Sequence, residues 1–477
     1  MRPHFFFGGG ANASTMTPLI LAATLLAAVF LLVLPRKYAA VPILLITFLT
    51  PFGQQILIGG AHFYVIRIIV IVGICRLSLT KLSSHRALFI GGFSGIDRAF
   101  YLCAFAEGAA FILRERASAA VVYQVGLWLN TFGLYFIFRC LIQNREDVYR
   151  LIKTFAFVVA VLGVCMSYEY LTRVNVFSYL AGHTIVPWVR DGRVRAQGPF
   201  AVSITAGAFG ATLLPLFFVL WRTAKARLWA SVGFAGASVV AVTSMASTPI
   251  TGYLAGILAL CLWPIRRKMR SVRWAIAFAI LGLALVMKAP VWFVITRINI
   301  AGGNAYDRAT LIDQTVRHFW EWWLVGTNNN ANWGFFTWDG CNQFVAEGLA
   351  GGGGALVFFV MILCQSFDAI GRCRKRAKRR REEWFFWGLG AALFSHLVIF
   401  LGVDYFDQMQ LLWFIFLAML SVATLSPGLV PKRVLERSDD RLIAKGLGAR
   451  RPVLASKPSG CLGLEAGMRG LNLRNRT

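Results

Sequence analysis

The sequence predicts an all-α, polytopic integral membrane protein with about 12–14 transmembrane helices and a large loop outside the membrane. The chain of 477 residues is 57% hydrophobic, with a mean hydropathy of +0.63, and it contains many apolar runs of membrane-spanning length. Most of its net charge of +28 lies in three short segments beside or after such runs, at 265–273, 371–383 and 431–477. This placement favours a membrane protein and argues against nucleic acid as a partner.

The apolar runs divide the chain into an N-terminal tail (1–16), a transmembrane domain (17–426) and a basic C-terminal tail (427–477). They predict about 13 crossings, of which the run at 99–113 is the weakest because Glu107 interrupts it. The predicted spans lie near residues 17–34, 38–57, 61–79, 99–113, 119–138, 151–170, 199–220, 228–246, 249–264, 274–292, 342–366, 384–402 and 406–426.

The distribution of Lys and Arg predicts which loops face the cytoplasm, since short cytoplasmic loops carry an excess of both residues. The predicted cytoplasmic segments are the loops 222–227, 266–273 and 372–381 and the C-terminal tail. The predicted external loops are 171–197, 293–341 and 403–407. The nine cysteines are scattered without a CxxC pair, so the sequence indicates neither a metal site nor a disulfide framework.

The external loop 293–341 is polar and aromatic, and it lies between two very apolar segments. Asn304 followed by Asp307 is typical of a helix start. A helix over 305–323 has an apolar face with Arg308 in its middle, which is costly unless an anion or a carboxylate meets the guanidinium. The other members of that face are Leu311, Ile312, Val316, Phe319, Trp322 and Trp323.

The external loop 171–197 carries Arg190, Arg193 and Arg195 shortly before Pro199. Because proline suits the first turn of a helix, we expect these arginines to lie at the N-terminus of the next span. A helix N-terminus with guanidinium groups is a natural phosphate site. The alternative is that these arginines extend to lipid headgroups.

Two blocks of sequence resemble a known family. The first is Arg195–Phe200 (RAQGPF), which is followed by small residues at 203–207. The second comprises Tyr306-Asp307-Arg308, residues 323–326 (WLVG), residues 339–344 (DGCNQF) and residues 347–351 (EGLAG). Over roughly residues 190–366 the chain is similar to O-antigen ligases and to O-antigen or exopolysaccharide polymerases.

The resemblance implies a GT-C-like membrane transferase that needs no metal or other cofactor. Such enzymes move a glycan from undecaprenyl diphosphate to a glycan or lipid acceptor, on the periplasmic face of the bacterial inner membrane. Arg195 and Arg308, with Arg193 as an auxiliary, would hold the diphosphate. Membrane lipids and other polysaccharide-assembly proteins are the further partners that it suggests.

The chain departs from the ligase pattern at Cys341, where ligases have a histidine before the Asn of the second block, and this favours a polymerase or a divergent transferase. His318 and Asp339 are the candidate catalytic groups, and Trp322, Trp323 and Trp338 are candidates for stacking on sugar rings. Each has a simpler alternative: a structural histidine, a helix cap, or tryptophans at a membrane interface. A transporter of lipid-linked oligosaccharide, or a non-catalytic export component, remains the alternative function.

Overall fold

The computed structural model describes residues 14–83, 91–190, 192–224, 226–297, 305–334 and 340–425, together with residues 89 and 337. This part of the chain is mostly helical, as predicted, with two short β-hairpins. The helices are α1 (Pro18–Val33), α2 (Ala40–Leu49), α3 (Val65–Ser83), α4 (Gly95–Glu115), α5 (Ser118–Leu141), α6 (Arg145–Thr172), α7 (Ser178–Ala181), α8 (Ser203–Val219), α9 (Arg227–Thr243), α10 (Ser247–Cys261), α11 (Met269–Val286), α12 (Ala305–Arg317), α13 (Phe319–Trp322), α14 (Gln343–Arg376), α15 (Arg380–Phe400) and α16 (Asp407–Thr424).

Seven of the described helical stretches are long and apolar enough to cross a membrane. They are Ser118–Leu141, Arg145–Thr172, Ser203–Ala224, Trp263–Val286, Gln343–Arg376, Arg380–Phe400 and Asp407–Thr424. Three shorter helices, α1, α9 and α10, are also apolar. These ten helices support a multi-pass membrane protein, while the predicted count of about 13 crossings would also need α2, α3 and α4.

The predicted span 38–57 is wrong at its C-terminal end. Helix α2 ends at Leu49, and strand β1 (Gln55–Ile58) then pairs in an antiparallel hairpin with β2 (Ala61–Tyr64). The turn residues Gly59 and Gly60 both have positive φ (57° and 81°), which suits a two-residue hairpin loop. A hairpin forms here because glycine adopts such angles without strain.

A second antiparallel hairpin joins β3 (Trp188–Arg190) to β4 (Arg193–Arg195), with Trp188 opposite Arg195 and Arg190 opposite Arg193. Its chain continues into α8, which is almost completely buried at the centre of the bundle. Small residues permit the close packing around α8, as is usual between transmembrane helices. A Cβ atom added to Gly210 of α8 would lie 2.7 Å from the Ala237 carbonyl oxygen of α9.

A charged pair is buried in the bundle between α4 and α5. The Asp97 and Arg139 side chains are both inaccessible to solvent, and Arg139 Nε lies 3.1 Å from Asp97 Oδ1. The same carboxylate accepts hydrogen bonds from the hydroxyls of Tyr135 (2.6 Å) and Ser421 (2.7 Å) and from the backbone N–H of Ser94 (2.7 Å). These bonds connect α4, α5 and α16, so the pair has the contacts of a structural ion pair.

Candidate anion-binding site

A cavity of about 320 Å³ lies where the β3–β4 hairpin meets the first turns of α8, α10, α12 and α16. Its charged lining groups are three arginines and two aspartates. The lining residues are Trp188, Arg190, Arg195, Val202, Ser203, Ile204, Met245, Ala246, Ser247, Asp307, Arg308, Leu311, Cys341, Val403, Asp404 and Phe406. The cavity therefore brings Arg195 and Arg308 together, although they are far apart in the chain.

The segment that follows Arg195 is held by a buried carboxylate of α6. The Glu169 side chain accepts hydrogen bonds from the backbone N–H groups of Gln197 (3.2 Å) and Gly198 (2.8 Å) and from Asn175 Nδ2 (3.0 Å). Asn175 Nδ2 also donates to the Gly198 carbonyl oxygen (2.8 Å). Since buried polar groups that are fully bonded fix a unique geometry, this network fixes the backbone next to Arg195.

The sequence predicted that Pro199 lies in the first turn of the following helix. This prediction is wrong, because α8 starts only at Ser203. Pro199 instead belongs to a turn in which the Phe200 N–H donates to the Gln197 carbonyl oxygen (3.2 Å). The Pro199 carbonyl oxygen accepts from the Phe52 N–H (2.9 Å) and from Gln408 Nε2 (3.1 Å). The turn therefore ties the arginine-bearing segment to α16 and to the residues before β1.

Three helices present their N-termini to the cavity. Their N-cap residues are Val202 for α8, Ala246 for α10 and Phe406 for α16, and all three line the cavity. Such apolar residues are disfavoured as N-caps because their side chains cannot accept a hydrogen bond from the first-turn N–H groups. The positive ends of three helix dipoles thus meet at the cavity without a side-chain cap, which is an arrangement suited to an anion.

Arg308 reaches the cavity from the first turn of α12, beside Asp307 and Leu311. Its guanidinium packs over Gly402, since a Cβ atom built there would lie 3.4 Å from Arg308 Nη1 and 2.7 Å from Thr248 Oγ1. Glycine therefore provides the space for Arg308.

The position of Cys341 is set by the next residue, Asn342, which is the N-cap of α14. Asn342 Oδ1 accepts from the N–H groups of Phe344 (2.9 Å) and Val345 (3.2 Å), and its Nδ2 donates to the Leu401 carbonyl oxygen (3.2 Å). The bond to Leu401 fixes the start of α14 against the segment that carries Asp404. Cys341 and Asp404 consequently line the same cavity.

Arg195 lies near two other positive charges. Burial lowers the pKa of its guanidinium, and the positive charges of Arg190 and Arg308 lower that pKa further. Its Nε atom is buried and has no hydrogen-bond partner within the part of the chain that the structure describes. Gathering like charges where they are partly shielded from water costs free energy, which a bound anion would offset.

Backbone strain is also concentrated at this cavity. Four described residues other than glycine have positive φ, and two of them, Arg116 and Arg173, simply end α4 and α6. The other two are Met245 (φ 46°), which lines the cavity, and Asp407 (φ 49°), which follows the lining residue Phe406. Strained non-glycine residues tend to cluster at functional sites, and these two shape the starts of α10 and α16.

Several predicted site residues lie elsewhere. The predicted helix 305–323 is interrupted, because α12 ends at Arg317 and the His318 ring stacks on Trp333, with centroids 4.9 Å apart. His318 does not line the cavity, and its Nδ1 lies 2.9 Å from the Gln314 carbonyl oxygen. Arg193 is exposed and does not line the cavity.

Of the predicted stacking residues, Trp322 is buried, and its Nε1 donates to the Thr315 carbonyl oxygen (2.8 Å), which favours a packing role. Trp323 is 42% exposed. Asn304, Trp338 and Asp339 lie outside the described residues. Within those described, no group of three or more His, Cys, Asp or Glu side chains could hold a metal ion.

No family model matches the chain, and a search of curated proteins finds no match. The interpretation of the cavity therefore depends on its own geometry and on the short motifs that line it.

Proposed function

We propose that the protein is a membrane glycosyltransferase that polymerises or ligates glycans carried on undecaprenyl diphosphate. The reaction would take place at the periplasmic face of the bacterial inner membrane, with the basic C-terminal tail in the cytoplasm. The observation that carries the proposal is the cavity, in which Arg195, Arg308 and the uncapped N-termini of α8, α10 and α16 meet. A diphosphate is the kind of group that such a collection of positive charge binds.

The proposed chemistry is the attack of an acceptor hydroxyl on the anomeric carbon of the glycan. The bond from that carbon to the diphosphate oxygen breaks, and negative charge develops on the leaving phosphate. Arg195, Arg308 and the helix N-termini would stabilise this charge, and fixed positive groups are most effective when they are aimed at developing charge.

The proton of the acceptor hydroxyl must also be taken up. Asp307 and Asp404 are carboxylates that line the cavity, and they are better placed for this role than His318. The carboxylate of Asp404 also lies next to the segment before Cys341, since a Cβ atom on Gly340 would be 3.7 Å from Asp404 Oδ2. Asp404 is therefore our first candidate for the proton acceptor.

The alternative is a transporter of lipid-linked oligosaccharide, and one feature favours it. Helix α14 is broken at Gly352, which has φ 69°, and interrupted helices are common in transporters. Transporter sites typically lie where such breaks occur, whereas the arginine cavity is formed by other helices at their N-termini. We therefore prefer the transferase.

The test is a transfer assay with purified protein in nanodiscs, a synthetic undecaprenyl-diphosphate oligosaccharide, and neither metal nor nucleotide. We expect product from the wild type and from Arg193→Ala, which removes an exposed arginine of the same strand, and little from Arg195→Ala or Arg308→Ala. A longer glycan on the lipid identifies a polymerase, and a glycan on a new acceptor identifies a ligase. Movement of the substrate across vesicles without any product would instead support the transporter.

A further inference from the structure

The segment that follows α12 docks into the break of α14. The Gly353 N–H donates to the Trp323 carbonyl oxygen (2.7 Å), and the Thr327 N–H donates to the Leu349 carbonyl oxygen (2.9 Å). A Cβ atom on Gly352 would lie 2.5 Å from the Leu324 carbonyl oxygen, so only glycine permits this approach. Backbone contacts therefore fix the position of residues 323–327 along α14.

A third element holds the same junction. Arg114, near the C-terminal end of α4, donates from Nη1 to the carbonyl oxygens of Val325 (3.3 Å), Leu349 (3.1 Å) and Ala350 (3.2 Å). These carbonyl groups lie at the break in α14, where the regular helical bonding is interrupted. The depth of residues 323–327 in a membrane is thus tied to the depth of α4 and α14.

The sequence of α14 indicates that depth. Its charged residues Glu347 and Asp368 are separated by the uncharged stretch 348–367, which is apolar except for Gln365 and Ser366 and corresponds to about 30 Å of helix, the thickness of the hydrocarbon layer. Asp368 pairs with Arg372 at the basic end of the helix. Gly352 and Gly353 are therefore about 5–10 Å inside the opposite edge, a depth at which amphipathic helices bind at bilayer interfaces.

The outward face of the docked segment is apolar and aromatic. Trp320 is 78% exposed and Leu324 is 66% exposed, and the Trp320 and Trp323 rings contact each other edge to face, with centroids 6.2 Å apart. The one carboxylate of this segment, Glu321, accepts from Trp333 Nε1 (2.9 Å) and so binds within the loop. Tryptophan is the residue most typical of the interface between a bilayer and water.

We propose that residues 319–324 form an interfacial anchor, in which Trp320, Trp323 and Leu324 insert among the phospholipids of the leaflet next to the arginine cavity. The partner of this surface is the bilayer itself, because the segment is fixed at the depth of the outer acyl chains. The anchor follows the C-terminal end of α12 and holds that end at the level of the lipid headgroups, while Arg308 lies in the first turn of the same helix. The proposal depends on the membrane position of α14 and does not depend on the transfer reaction.

The test uses p-benzoylphenylalanine in place of Trp320 in the full chain, reconstituted in nanodiscs whose phospholipids carry radiolabelled acyl chains. The matched control has the same photoreactive residue in place of the exposed polar residue Asn329, five residues beyond the anchor. Since both side chains are exposed, neither replacement should disturb folding. We expect irradiation to attach phospholipid at position 320 several-fold more than at position 329, and replacement of Leu324 should repeat the result.

Equal attachment of phospholipid at positions 320 and 329 would overturn the anchor. So would attachment of position 320 to a second copy of the chain, which would identify a dimer surface. The experiment is repeated with added lipid-linked oligosaccharide to test whether a glycan occupies this surface. A crosslink that moves from phospholipid to the glycan would overturn the anchor and identify Trp320 as part of a sugar-binding surface. Loss of transfer activity alone would leave the anchor unaffected.

Discussion

Two groups of charges in this protein differ in burial and in composition. Asp97 and Arg139 form a matched pair with no solvent exposure, and Tyr135 and Ser421 complete the bonding of the carboxylate. The cavity instead collects three arginines, two aspartates and three helix N-termini, and Arg190 at its rim is exposed. Each charge of the matched pair faces its counter-charge within the fold, whereas the cavity has more cations than carboxylates, so that a bound anion would lower its free energy.

The largest expected effect is at the matched pair. Asp97→Asn leaves Arg139 buried without its counter-charge, which should lower the free energy of unfolding by about 3–5 kcal/mol. Chemical denaturation in detergent measures this loss. The control is Asp368→Asn, because that carboxylate is exposed beside Arg372 and an exposed pair contributes less than about 1 kcal/mol. Equal losses in the two variants would contradict the comparison.

Substitution of the cavity arginines should reduce activity rather than stability. Arg195→Ala or Arg308→Ala should reduce the rate of transfer by about 100- to 1,000-fold, as loss of a group that stabilises developing charge does. For Arg195→Ala the free energy of unfolding should stay the same or rise, because the charge that is removed is repelled by Arg190 and Arg308. A denaturation curve measured on the same preparation as the transfer rate distinguishes the two effects. A loss of stability as large as that of Asp97→Asn would make these arginines structural.

Glu169 is a buried carboxylate of the bundle that also positions the segment after Arg195, which leads to the cavity. Glu169→Gln keeps the size of the side chain but weakens its bonds to the Gln197 and Gly198 N–H groups, and we expect a loss of stability of about 1–3 kcal/mol. The transfer rate should fall as well, because the backbone beside Arg195 is no longer fixed. Unfolding and transfer should be measured together, and a changed stability with an unchanged rate would show that this network does not position Arg195.

The smallest expected effect, and the most specific, is at a helix N-cap. Val202→Asp provides α8 with the carboxylate that it lacks, so stability should rise by about 0.5–2 kcal/mol while a competing negative charge enters the cavity. Transfer should therefore fall in a protein that unfolds less readily. Ala117→Asp is the control, since Ala117 is the apolar N-cap of α5 and does not line the cavity. A fall in transfer in the control too would contradict the proposed role of the N-terminus of α8.

Hydropathy was sufficient to predict a helical, multi-pass protein, because transmembrane helices are recognised by length and apolarity alone. It failed at residues 50–64, where the turn glycines Gly59 and Gly60 favour a hairpin over a continued span. Helical periodicity placed Arg308 on the apolar face of α12 but could not reveal the interruption at His318. Hydropathy and periodicity predict individual helices, whereas the interruption of a helix, as at His318, depends on packing with other parts of the chain.

The sequence could predict only those site residues whose functional role is indicated by their immediate neighbours in the chain. Arg195 and Arg308 stand out in the sequence because each is a cation in an unusual apolar or external setting. Asp404 and the apolar N-caps Val202, Ala246 and Phe406 have no local signal of function, since their significance comes from meeting at one cavity. The best sequence clue to them would have been that three helices each begin after an apolar residue.

The measurement that tests the central claim most directly is the affinity of the purified protein for undecaprenyl diphosphate, determined by microscale thermophoresis in detergent without any glycan acceptor. We predict that the wild type and Arg193→Ala bind equally and that Arg195→Ala binds at least about tenfold more weakly, the effect of losing roughly 1.4 kcal/mol. Equal binding by all three proteins, or an equal loss in both arginine variants, would contradict the assignment of the cavity as the diphosphate site.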